Sequence, residues 1–166
     1  EQACTNHLKR LGGHLLPYFK PVDFSSSSFE YEASVIIPVR NRIRTIKDAV
    51  CSALNQQTTF PFNVIVIDNH STDGTSEVLR ELSVDKRLIH VIPERDDLGI
   101  GGCWNVGVHH EKRGKFAVQL DSDDLYKDEQ TLQIMVNAFY EQNCAMVIGT
   151  YRMTDVNKIG RASCRE

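Results

Sequence analysis

The chain has 166 residues, 41% of them hydrophobic and 25% charged, which suits one soluble globular domain with a sizeable core. Its formal net charge of -3 gives no general attraction to nucleic acid or to an anionic membrane, and no apolar run approaches the ~20 residues that span a bilayer, so no transmembrane segment is expected. The first ten residues lack the apolar core of a signal peptide, and five widely spaced cysteines (Cys4, Cys51, Cys103, Cys144, Cys164) without a CxxC pair argue against zinc and for reduced thiols. The expected setting is the cytoplasm, with attachment to the cytoplasmic face of a membrane left open.

In chain order, residues 1–33 show little periodicity and contain Gly12-Gly13, Pro17, Pro21 and the run Ser25 to Ser28. They read as an N-terminal extension with a short helix over 6–11. From Ser34 the texture changes, and β-branched apolar runs predict strands over 34–39, 63–68, 87–92, 115–120 and 145–150. Between them, Ile43, Ile46, Ala49, Val50, Ala53 and Leu54 recur at helical spacing. Further helices are predicted over 77–82, with Ser71 or Asp73 as cap, over 101–110 and over 128–142. Strands alternating with helices predict an α/β fold with parallel βαβ units and right-handed crossovers. Ligands of such sheets bind beyond the carboxyl ends of the strands. Segments 38–41, 68–73, 93–102 and 121–124 are therefore expected to line one crevice.

Those segments hold the chain's unusual clusters. The strand-like run FAVQL ends in Asp121, Ser122, Asp123 and Asp124. Carboxylates this close resist ionising together. A divalent cation relieves the repulsion and also holds a diphosphate; oxygen ligands favour magnesium or manganese. The plainer alternative is a solvated turn with capping aspartates. Asp68 and Asn69 precede a helix start; an aspartate or amide there suits the edge of a nucleobase, and an Asx-turn explains it equally. Gly99, Gly101 and Gly102 open a helix where a backbone can approach a phosphate, but the first strand is followed by Val39-Arg40-Asn41, without the glycines of a dinucleotide fingerprint. Any of Arg40, Arg42 and Arg44 can meet a phosphate, though Arg42 and Arg44 read more simply as a solvated helix start.

Taken together, the motifs VIIPVRN, VIVIDNHSTDGT, LGIGGCWNVG and GKFAVQLDSDD, in this order across 34–150, resemble the inverting glycosyltransferase family 2. The resemblance implies a GT-A (Rossmann-like) three-layer α/β/α sandwich with a mostly parallel central sheet. It implies a donor-binding domain over 34–155, cut short on the acceptor side, and a tail over 156–166. The implied reaction moves a sugar, with inversion, from a nucleotide-diphosphate sugar, UDP-linked by expectation, to a glycan or lipid-linked acceptor hydroxyl with Mn or Mg as cofactor. Pro38, Val39, Arg40 and Asn41 would border base and ribose. Asp68 and Asn69 would meet the base, although many members carry Asp at the position of Asn69. Gly101 to Asn105 would line the donor site, where many members carry Arg in place of Trp104. Asp121 and Ser122 would meet ribose or sugar, and Asp123, Asp124 and Asp121 the metal.

Inversion also needs a general base. Neither Asp155 nor Glu166, the available tail carboxylates, is assigned that role. Two other classes stay open: a nucleotide- or metal-binding portion without catalysis, and a DxD phosphatase of the haloacid-dehalogenase type. In the latter the nucleophile usually follows the first strand, whereas DSDD follows the fourth.

Overall fold

The computed structural model describes residues 2–15, 28–154 and 160–161. Helix α1 (Gln2–Arg10) buries none of its residues. After it come β1 (Ala33–Val39), α2 (Ile46–Leu54), β2 (Phe62–Asp68), α3 (Thr75–Leu82), β3 (Leu88–Val91), α4 (Gly99–Val108), β4 (Phe116–Gln119) and α5 (Thr131–Gln142). The four strands form one parallel sheet in the order β3-β2-β1-β4.

β1 and β2 are buried along their whole length, as expected for apolar runs covered on both faces. Alternation sorts their side chains between two layers. Val35, Ile37 and Val39 of β1 and Val64 and Val66 of β2 form one cluster with Ile46 and Val50 of α2, Leu79 of α3, and Leu132 and Val136 of α5. Ile65 and Ile67 face the other way and pack with Cys103 and Val106 of α4. The result is the expected α/β/α sandwich.

Two close approaches fix the layers. A Cβ on Gly107 of α4 would lie 2.4 Å from Cγ2 of Ile36, so glycine is what lets this helix rest on β1. A Cβ on Gly114, just before β4, would lie 2.6 Å from the backbone carbon of Ala33. Beside it runs a buried polar chain. The Gly114 amide donates to Ser34 Oγ at 2.6 Å, Ser34 Oγ donates to Asn63 Oδ1 at 2.5 Å, and Asn63 Nδ2 donates to the Lys112 carbonyl at 2.7 Å. These bonds satisfy groups whose unpaired burial would cost about 1–3 kcal/mol each, and they seat the start of β4 against β1.

The fifth predicted strand, 145–150, does not form. Met146 is 72% exposed and Ile148 84%. Strand preference expresses fit to a pleated, half-covered surface, and no neighbouring strand meets this run among the described residues. The next strands are the two-residue β5 (Met153–Thr154) and β6 (Gly160–Arg161), paired antiparallel with each other.

Gly114→Ala should lower stability by about 1–3 kcal/mol, because backbone cannot rotate away from the added methyl. Gly107→Ala meets a side chain instead and should cost less. Chemical denaturation of the two variants checks both the loss and the order.

Candidate functional site

From β1 the chain steps outward to β2 and β3, then returns to place β4 on the other side of β1. This reversal is a topological switch point, where the loops beyond the carboxyl ends diverge and leave a crevice. Pro38 helps to open it. The Leu120 amide donates to the Ile36 carbonyl, the last rung between β1 and the β4 side. Two residues on, the same side of β1 presents Pro38, which has no N–H to continue the ladder. The other side pairs through to Val39, whose carbonyl accepts from the Asn69 amide at 2.8 Å.

The loops after β1 and β2 are stitched into one unit. The Asn41 amide donates to Ser71 Oγ at 3.0 Å, and Asn41 Oδ1 accepts from the Thr72 amide at 2.7 Å. The Arg42 amide donates to Thr75 Oγ1 at 2.9 Å and the Ile43 amide to Asp73 Oδ2 at 3.1 Å. Asn41 and His70 take left-handed backbone conformations, with φ of 54° and 57°. Asn and His tolerate these better than most residues, at a cost on the order of 1 kcal/mol each. The predicted helix cap is shifted. Gly74, at φ 97°, holds the N-cap position of α3, while Asp73 accepts from the amide and hydroxyl of Thr75, and Ser71 is spent on the cross-loop bond.

Asp68 lies beneath this unit and is wholly enclosed. Its Oδ1 accepts from the Ser71 amide at 2.9 Å; its Oδ2 accepts from Ser76 Oγ at 2.5 Å and faces His90 Nε2 at 3.3 Å. Burial pushes the carboxyl up, but the bonds from His90, Ser71 and Ser76 together outweigh it and hold Asp68 well below the ordinary carboxylate range. Both oxygens are thus engaged within the chain. Asn69, next in sequence, is 5% exposed, and its Oδ1 is enclosed without a partner, as is Nε2 of His70.

Across the crevice, the Asp124 amide donates to the Asp121 carbonyl at 3.0 Å, which folds DSDD into a tight turn. Ser122 is buried, and Asp121 is half-buried with Oδ1 enclosed and unpartnered. Asp123 points outward, its Oδ2 3.9 Å from Nε of Arg42. The Asp124 carboxyl is raised by burial and then by the charges of Asp121 and Asp123. Asp128 accepts from the Gln130 amide and the Thr131 hydroxyl just ahead of α5, whose N-cap position, Gln130, has no side-chain cap bond. Among the described residues, no three of His, Cys, Asp and Glu converge as a closed metal cage. The donor set fits the other kind of site. Magnesium-like ions take one or two carboxylates and complete their shell with water and phosphate oxygens.

α4 begins at the same edge of the sheet. Gly99 takes φ 58°, and the space around Gly99 and Gly101 is open enough that a Cβ would meet nothing within 4 Å. The helix start therefore offers backbone amides and the positive end of a dipole to an anion. Arg40, Gly101 and Asn105 are exposed, while Pro38 and Val39 are buried in β1. Two open hollows, of about 470 and 530 Å³, lie at the amino ends of the strands, beside Glu30 and Lys112 and beside Phe60 and Arg87. They are remote from these groups.

The sequence alone does not place Arg42 against Asp123. Its spacing matched a solvated helix start, and only the sheet order brings it opposite Asp123. His90 gave no signal at all, being one residue of an apolar strand.

A parallel α/β sheet with an acidic turn, an arginine and a glycine-opened helix at its switch point defines a Rossmann-like α/β architecture. The chain belongs to glycosyl transferase family 2, whose sequence profile matches residues 34–163, and the fold is GT-A. An uncharacterized glycosyltransferase of Rickettsia felis is 35% identical over 133 residues, 76% of this chain and 21% of its own length. WfgD of Escherichia coli, a UDP-Glc:alpha-D-GlcNAc-diphosphoundecaprenol beta-1,3-glucosyltransferase, is 28% identical over 130 residues, 78% of this chain and 49% of its own length. The crystal structure of S. aureus TarS 1-349 in complex with UDP-GlcNAc matches with a TM-score of 0.59 at 29% identity, covering 68% of this chain and 32% of that one. The chain thus spans 21% to 49% of the length of these proteins. No helix among the described residues is long and apolar enough to cross a membrane.

The two carboxyls should respond oppositely to substitution. Asp124 is raised in the fold, so its ionised form weakens the protein at neutral pH, and the penalty fades as pH falls through the raised value. Asp124→Asn should therefore raise the melting temperature of the metal-free protein at pH 7. Asp68 is depressed, so its contribution is present above the unfolded value of about 3.9 and is lost as pH falls toward its folded value. Asp68→Asn should lower stability at pH 7 and flatten the acid limb of the stability curve, measured by denaturation between pH 2 and 7.

Proposed function

We propose that the crevice binds a UDP-sugar and that the whole enzyme transfers its sugar, with inversion, to an acceptor hydroxyl. The observation that carries this reading is the facing of the DSDD turn and Arg42 across the switch point, beside the amino end of α4. In this reading Arg40 and Asn41, seated on Pro38 and Val39, border base and ribose. Asn69 offers its unpartnered oxygen to the base edge, and Asp68 acts from beneath by fixing the loop. Gly101 and Asn105 line the donor on the α4 side, and Asp121 and Ser122 meet ribose or sugar.

One or two of Asp123, Asp124 and Asp121, which do not converge as a set of three, would hold a divalent cation, manganese or magnesium. Such an ion neutralises charge on a diphosphate leaving group. Arg42, which approaches Asp123 at 3.9 Å, is placed to turn its guanidinium to the same phosphates. UDP is favoured because WfgD is named for UDP-Glc and the TarS structure holds UDP-GlcNAc. The name of WfgD also favours a lipid-linked or glycan acceptor. A cytoplasmic setting is favoured by Cys4, Cys51, Cys103 and Cys144, which are free thiols.

No general base is assigned among the described residues, and Asp155 and Glu166 lie outside them. In a second reading, the chain as it stands binds nucleotide without completing transfer. Release of sugar from UDP-sugars separates the two.

Calorimetric titration of UDP with manganese, and then with a chelator, tests the donor site, with GDP, CDP and dTDP as comparisons. UDP should bind in manganese and be lost on chelation. Asp123→Ala should weaken it by about tenfold or more, the scale of one lost charged contact. A folded protein that binds none of the four nucleotides would refute the reading.

A further inference from the structure

His90 belongs to none of the motifs, yet it is bonded to the residue on which the nucleotide loop rests. In the ladder between β2 and β3, His90 lies opposite Val66, two residues before Asp68. Side chains at i and i+2 share a face, so His90 sits diagonally below Asp68 on the face that α3 covers. Ser76 of α3 reaches the same carboxylate oxygen from the helix side. Oδ2 of Asp68 is therefore held between a clamp from the sheet and a clamp from the helix. This leaves Oδ1 aimed at the Ser71 amide. An ionised carboxylate only accepts, so Nε2 of His90 carries the proton and donates. The His90 side chain is 12% exposed and that of Asp68 is 0% exposed, so water competes little for this bond.

We infer that His90 is a positioning residue for the nucleotide site: by fixing the Asp68 carboxylate it sets the 69–76 loop, and with it the unpartnered oxygen of Asn69. This rests on the nucleotide reading above. A leucine at position 90 fills the space without donating. The loop then keeps Ser76 alone as the anchor of Oδ2, and Oδ1 is free to swing from the Ser71 amide. The damage falls on the base end of the ligand, because Asn69 and His70 move with the loop while the DSDD turn stands on a different strand.

The test compares His90→Leu and His90→Gln with the parent chain. Glutamine returns an N–H at similar reach. Three quantities are read: hydrogen exchange at the Ser71 amide without ligand, affinity for UDP with manganese, and affinity for pyrophosphate with manganese. His90→Leu should speed exchange at Ser71 and weaken UDP by about tenfold or more, with pyrophosphate unchanged and glutamine restoring most of the loss. Unaltered Ser71 exchange, unaltered UDP affinity, or equal losses on UDP and pyrophosphate would each overturn the inference. Failure of the parent chain to bind UDP would sink the nucleotide reading itself. It is told apart from failure of the His90 role by the Ser71 amide, which needs no ligand.

Discussion

β1 is paired unequally on its two sides, and the site depends on that inequality. Toward β2 the ladder runs from Ala33 to Val39; toward β4 it runs only from Ala33 to Ile36. Had both sides paired to the end, the loops after β1 and β4 would leave the sheet side by side, and no crevice would separate them. Pro38 imposes the difference by a missing hydrogen-bond donor, at no cost in apolar burial, since its ring still packs within the strand.

The two walls of the crevice use opposite strategies. On the β1–β2 side, polar groups are matched to one another. Asn41, Asp68, Ser71, Asp73 and Thr75 exchange bonds so thoroughly that two backbone residues can be held in left-handed conformations. On the β4 side, charge is left unmatched. Asp121, Asp123 and Asp124 repel, the enclosed oxygen of Asp121 has no donor, and the nearest compensation is a half-exposed arginine 3.9 Å from Asp123. An exposed pair at that distance contributes little, at most about 1 kcal/mol. The first wall is held by its own hydrogen bonds. On the acidic wall the charges of Asp121 and Asp123 add to burial in raising the Asp124 carboxyl.

Much of this could be read from residue order. Continuous apolar runs gave β1 and β2 almost to the residue, and helical spacing gave α2, because burial on both faces leaves a pattern that local chemistry cannot imitate. The segments expected to share the crevice do meet at one edge of the sheet, since parallel topology dictates it. Three things were hidden. The run 145–150 has the composition of a strand, but composition does not supply a neighbour. The approach of Arg42 to Asp123 depends on β4 returning beside β1, a fact of strand order. The Ser34–Asn63–Gly114 chain and the bond from His90 to Asp68 join residues between 22 and 80 positions apart. No spacing rule links such pairs, and each residue alone looks like an ordinary polar interruption of a strand or loop.

The order β3-β2-β1-β4 also leaves β4 at the margin of the sheet among the described residues. A strand in that position presents a row of backbone donors and acceptors, which is a template for any extended segment that reaches it. Here the template is only four residues long, Phe116–Gln119, and the cationic Lys115 stands at its start. Both features discourage pairing between copies of the chain. The strand that carries the acidic turn to the crevice is therefore also the strand whose outer flank sets how readily copies of the chain could pair.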